Sequence, residues 1–162
     1  MTLFPLALSS GCLITSEADV PATAACAPSI LPNAVPPADR IVDVVLDPEV
    51  PGSTEFTIEI EDCNETQVLE LKAPLDFNPD FGGRPDLIVE TTVQPENRQQ
   101  FSFTLPHSML EMGECHRFEV FVTGEFMFGE LQPVIENDVG QETWWIAVRS
   151  SAEDPIDVAA CN

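Results

Sequence analysis

A chain of 162 residues with 28 acidic and 6 basic side chains carries a formal net charge of −22. That balance excludes nucleic-acid binding, because phosphates would be repelled rather than neutralised. The acids are spread along the chain as on a solvated surface, and 44% hydrophobic residues suffice for the core of one domain.

The chain opens with an apolar run, Leu3 to Leu8, followed by Ser9, Ser10, Gly11 and Cys12. Small residues before a cut let the backbone lie extended in a signal peptidase. A Cys directly after them supplies a thiol that can be acylated. This resembles the lipobox of bacterial lipoproteins, with Ser9 standing where a Leu is usual. The resemblance implies a signal peptide over 1–11 and a lipid on Cys12, so that the chain meets the membrane through its N-terminus. The run is at the short end of the roughly 7–15 apolar residues of a signal segment and no basic residue precedes it, so the reading frame is expected to begin upstream. Leu13 follows Cys12, where Asp would favour inner-membrane retention in the lipoproteins it resembles. The expected location is therefore the outer membrane, within the cell envelope.

Residues 12–38 are rich in Ala and Pro, with Pro21, Pro28, Pro32, Pro36 and Pro37, and read as an extended tether. A domain is expected over 39–150, followed by a tail over 151–162. From Arg40 onward the apolar period is two. Ile41 to Leu46 give a first strand, and Phe56, Ile58 and Ile60 alternate with acids in a second. Val68, Leu69 and Leu71 give a third. A Pro/Gly/Asp-rich loop follows, and then Leu87 to Val93. Phe101, Phe103 and Leu105 give the fifth strand, Phe118, Val120 and Val122 the sixth, and Trp144, Ile146 and Val148 the seventh. One short helical turn is expected near Ser108 to Met112. Seven evenly spaced strands argue for an all-β fold, a seven-stranded antiparallel sandwich.

The stretch Leu110-Glu111-Met112-Gly113-Glu114-Cys115-His116-Arg117-Phe118-Glu119-Val120 is similar to the E–F corner of immunoglobulin-like and fibronectin III domains. His116 stands near the place of the corner Tyr, whose hydroxyl bonds back to upstream backbone. With the later Trp144-Trp145-Ile146-Ala147-Val148 strand, the chain also resembles uncharacterised bacterial envelope lipoproteins over roughly residues 40–149. That resemblance implies fold and location and no known activity.

Five cysteines less the acylated one leave Cys26, Cys63, Cys115 and Cys161, an even number that reads as two disulfides in an oxidising compartment. Zinc would want close Cys pairs, and these are scattered singly. In the sandwich, Cys63 ends the second strand near the start of the first, and Cys115 begins the sixth near the end of the seventh. This favours Cys26–Cys63 with Cys115–Cys161, each stapling one tail. Cys26–Cys161 with Cys63–Cys115 stays open.

Asp76, Asn78 and Asp80 stand at alternate positions, as oxygen ligands do in calcium loops. Phe81 and Leu87 hold the places of the Gly and Glu of an EF-hand, and the alternative is an ordinary Asx-turn loop. Gly124 to Gln141 is long for a hairpin connection. Its Phe126, Met127 and Phe128 form either a recognition patch or a flap that buries them. Adjacent Trp144 and Trp145 face opposite sides of a strand. Trp144 is expected in the core and Trp145 outside, where it either stacks on a sugar or is covered.

No G-x-S-x-G and no glycine-rich phosphate loop occurs, so no catalysis is expected. No cofactor beyond calcium is expected either. The expected role is a lipid-anchored envelope module, structural or protein-interacting, whose partner is another envelope protein or a glycan. The alternative is a ligand-binding or adhesion module with calcium or glycan contacts.

Overall fold

The computed structural model describes residues 27–47, 49–62, 64, 66–78, 87–94, 96–156 and 161. Cys12, Cys26, Cys63 and Asp80, and with them the signal peptide and the first part of the tether, lie outside the described residues.

The strands are β1 (Ser29–Ile30), β2 (Val42–Val45), β3 (Ser53–Glu61), β4 (Leu69–Pro74), β5 (Leu87–Val93), β6 (Arg98–Pro106), β7 (Cys115–Thr123) and β8 (Val139–Arg149). A 3-10 turn stands at His107–Met109, where a short turn is expected from the sequence. No helix among the described residues is long and apolar enough to cross a membrane. The strands form a three-stranded sheet in the order β1-β3-β6 and a five-stranded sheet in the order β2-β8-β7-β4-β5.

Alternation decides which side of each strand is buried. Phe56, Ile58 and Ile60 of β3 face Phe118, Val120, Val122, Trp144 and Ile146 of the other sheet, all but fully buried. Four rings join the sheets. The Phe56 centroid lies 4.9 Å from Phe118, 5.2 Å from Trp144 in an edge-on contact, and 5.9 Å from Phe103. These separations fall in the favourable range for aromatic pairs.

Two expectations are corrected. The seven-stranded antiparallel sandwich is an eight-stranded one among the described residues, and β2 runs parallel to β8, with Val42 opposite Ile146 and Val45 opposite Arg149. Alternation encodes a strand's buried face, not the direction of its neighbour. Here β2 and β3 lie in different sheets, so the hairpin rule does not set β2's direction. The second correction concerns the tether. Residues 27–38 belong to the sandwich: β1 pairs with the end of β3, and Val35 exchanges backbone bonds with Thr57 at 2.8 and 2.7 Å. The Trp144 Nε1–H donates to the Pro36 carbonyl at 2.8 Å. Ala34 is buried. Proline spacing gives no sign of this, because the pairing is offered by the edge of β3.

The tail past β8 is held at two points. Arg149 grips the Asp43 carboxylate and donates through Nη1 to the carbonyls of Ala152 and Asp154, at 2.6 Å each. Cys115 and Cys161 are joined in a disulfide, with Cα atoms 5.2 Å apart. That bond excludes the Cys63–Cys115 pairing.

Candidate functional site: a flap and groove on the five-stranded sheet

The outer face of the five-stranded sheet carries Glu70 and Lys72 of β4, and Arg117, Glu119, Phe121 and Thr123 of β7, the residues out of phase with the core positions. The segment 124–138 between β7 and β8 folds back over part of this face. It is a small hairpin in its own right. Phe126 bridges to Pro133, Met127 N–H donates to the Gln132 carbonyl at 2.9 Å, and Val134 N–H to the Glu125 carbonyl at 2.9 Å. At the tip, Glu130 N–H donates to the Met127 carbonyl at 3.0 Å, and Gly129 takes φ +75°. A turn with a positive φ at its third residue calls for glycine there and leaves the second residue, Phe128, at the outer corner.

The flap is tied down by polar groups of the sheet. The Glu70 carboxylate accepts the Phe126 N–H at 3.0 Å. At the flap's base the buried Asp138 carboxylate accepts from the Gly124 N–H at 3.3 Å and the Thr123 hydroxyl at 3.4 Å. Lys72, the chain's one lysine, is only 9% exposed. A buried ammonium must find compensating partners. Its Nζ lies 4.5 Å above the Phe126 ring, 3.3 Å from the Glu130 carbonyl oxygen and 3.7 Å from the Glu90 carboxylate. The cation over the ring and the bond to Glu130 hold the two arms of the tip turn at once.

Between the flap and β5 runs a groove of about 760 Å³. Glu70, Leu71 and Lys72 form its floor, Leu87, Glu90, Thr91 and Thr92 of β5 one wall, and Phe126 to Glu130 the other.

The four residues expected to form a recognition surface separate. Phe126 is buried and anchors the flap, with Leu131 beside it. Met127 is exposed at the groove, and Phe128 is 104% exposed, as open to water as a side chain can be. Trp145 is 36% exposed and stands opposite Arg117 on β7, away from the groove lining. Its partner Trp144 is in the core. Near Trp145, Glu119 is buried between Arg117, whose Nε lies 3.2 Å from it, and Gln141, whose Nε2 donates to it at 3.1 Å. Burial pushes the Glu119 carboxyl up from its ordinary value, against the opposing pull of Arg117.

Asp76, the first of the three expected calcium ligands, is engaged in hydrogen bonds, and Asp80, the third, lies outside the described residues. Asp76 sits at φ 52°, tolerable for Asp. Its Oδ1 accepts the Arg117 N–H at 2.7 Å and its Oδ2 faces His116 Nδ1 at 2.6 Å. Asn78 lies beside it and also has an interaction partner. Among the described residues no three His, Cys, Asp or Glu side chains converge on a metal position. His116 is buried, and the Glu111 N–H donates to its Nε2 at 2.9 Å. That bond puts the imidazole proton on Nδ1, where it is given to Asp76. An imidazole thus makes the corner's bond to upstream backbone, five residues back, and ties in Asp76 as well.

The residue that sequence reasoning passed over is Lys72. The signal was present, as a lone lysine at an outward position among acids, but its value depends on a flap 54 residues downstream.

No protein-family profile matches this chain, and no curated protein does. Among solved structures it is similar to the CARDB domain of a Pyrococcus furiosus protein crystallised with di-metal ions. The two are 12% identical, with a TM-score of 0.42, over 76% of this chain and 93% of that one.

Replacing Lys72 with Met keeps the apolar stem and removes the clamp. The expected result is a loss of about 1 kcal/mol in urea unfolding, with much faster proteolytic nicking within 127–134. Unchanged nicking would mean that the flap is held by other contacts.

Proposed function

We propose that this domain is a non-catalytic interaction module of the immunoglobulin or fibronectin III kind, which meets a protein partner through the flap. The observation that carries the reading is Phe128. A fully exposed aromatic is unremarkable on a loose loop. Here it stands at the corner of a hydrogen-bonded turn whose neighbours Phe126 and Leu131 are buried and whose two arms are held by Lys72. Exposed Met127, Val134 and Ile135 lie on the same flap. A rigid apolar tip loses little conformational entropy when it is covered, which is what favours binding.

The strand order supports the sandwich type: β1, β3 and β6 oppose a sheet in which β7 lies between β8 and β4. Both imidazoles are engaged in structural bonds, His116 through both nitrogens and His107 to the Thr54 hydroxyl at 3.0 Å, which supports a non-catalytic role. A photo-crosslinking side chain at position 128 of the intact chain, in the cells that make it, is expected to give one discrete protein adduct. At Met112, exposed in the turn before β7, it should give none. The same adducts from both positions, or none from either, would refute the reading.

We further propose that the module is exported and anchored in the cell envelope through a lipid on Cys12, with the outer membrane as its place. The Cys115–Cys161 disulfide supports an oxidising compartment. Labelled palmitate should enter the chain and should be lost on Cys12→Ala. Equal labelling of both would show that the acyl chain sits elsewhere, and no labelling of either that there is none.

A further inference from the structure

Among the described residues β5 is the last strand of the five-stranded sheet, with no strand beyond it. An open edge offers a row of unpaired backbone groups, and proteins usually blunt such edges with Lys, Pro or a short strand. Here the edge runs for seven residues, Leu87 to Val93, with no lysine or proline and with Glu90 as its one charge. Five of the seven are β-branched, the residue types that suit a paired strand. The groove lies along this same edge, and Glu90, Thr91 and Thr92 belong to both.

The charge of the groove says what would fill it. Glu70, Glu90 and Glu130 line it against Lys72 alone, and the lysine's charge is already spent on the Phe126 ring, the Glu130 carbonyl and Glu90. Glu130 is exposed, and Glu90's side chain keeps more than half its surface in water. The chain as a whole carries a net charge of −22. A second copy would bring the same charge and an edge of the same sign. A basic segment would be drawn in and would complete the acids left over by Lys72.

We propose that β5 takes up an extended, basic segment of the partner protein as a further strand of the sheet. The inference rests on the interaction reading above and names the partner's chemistry. Backbone bonds to the β5 edge supply affinity, and alternate side chains supply specificity. One face of the added strand lies along the groove, where its Lys or Arg side chains meet Glu90 and Glu130. Its alternate side chains, apolar or β-branched, point to the sheet's other face, beside Val89 and Val93 of β5.

The test is selection from a phage-displayed library of random dodecapeptides on the intact, oxidised chain. The selected peptides should alternate basic with apolar or β-branched residues. Neutralising the groove with Glu90→Gln and Glu130→Gln should weaken a selected peptide by ~10-fold or more, as loss of close charge pairs does. N-methylation of alternate backbone amides should abolish binding in one register and spare it in the other. No enrichment, peptides without a basic bias, indifference to the two Gln substitutions, or equal tolerance of both N-methyl registers would each overturn the proposal. Dimerisation of the chain through β5 would overturn it in favour of a second copy as occupant. If strand addition fails while the position-128 adduct persists, the interaction reading survives without it. If the adduct fails while peptides bind β5 as described, the edge is the site and the flap tip is not.

Discussion

The contact of Phe56 with Phe118 and Trp144 is the constraint from which the rest of the structure follows. Phe56 belongs to the three-stranded sheet and the other two rings to the five-stranded one, so their packing sets the spacing and alignment of the layers. Once Phe118, Val120 and Val122 face inward, the period of two sends Cys115, Arg117, Glu119 and Phe121 to the outer face. The same rule on β4 buries Leu69 and Leu71 and turns Glu70 and Lys72 outward. Trp144 adds a second function through its indole N–H, which fixes the crossing of the chain between the sheets at Pro36. Ring packing thus determines which side chains are available outside, and the Trp144 bond joins the β1–β3 pairing in fixing where the N-terminal segment enters.

The outer face is used unevenly. Around Glu119 the polar groups pair locally, with Arg117 and Gln141 against one carboxylate, and leave Trp145 at the surface. Around Lys72 they reach up to a separate piece of chain. An ammonium buried on a sheet has few ways to be compensated, and here the compensation comes from an aromatic face, a carbonyl and a carboxylate drawn from two different elements. The consequence is a flap held at its middle and at its base, with the Phe128 side chain exposed at its tip. Phe126 and Phe128 are two residues apart and have opposite fates for this reason. One lies under the lysine, and the other stands at the corner of a turn that Gly129 allows.

Much of the sandwich was legible in the sequence because burial on one face imposes alternation. Seven of the strands, the inward Trp144, the outward Cys115 and the turn before β7 all follow from it. The eighth strand was not legible: Ser29–Ile30 is too short to show a period, and its proline-rich surroundings read as a spacer. The direction of β2 was hidden because parity is the same for parallel and antiparallel neighbours. The site was legible only as a suspicion about a long loop. Phe126, Met127 and Phe128 look alike in sequence, and what divides them is Lys72 on a distant strand. The spacing of Asp76 with Asn78 and Asp80 is legible locally. The bonds that Asp76 makes to His116 and the Arg117 amide come from another strand and leave no trace in that spacing.

The central claim is that the flap is an ordered platform rather than a loose loop, and native-state amide hydrogen exchange tests it most directly. The N–H groups of Met127, Glu130 and Val134 are all donated within the flap, and that of Phe126 to Glu70. These four amides are expected to exchange orders of magnitude more slowly than in an unstructured peptide, with the exposed Phe128 side chain carried between them. Exchange of all four at the free-peptide rate, while the β7 amides remain protected, would contradict the claim.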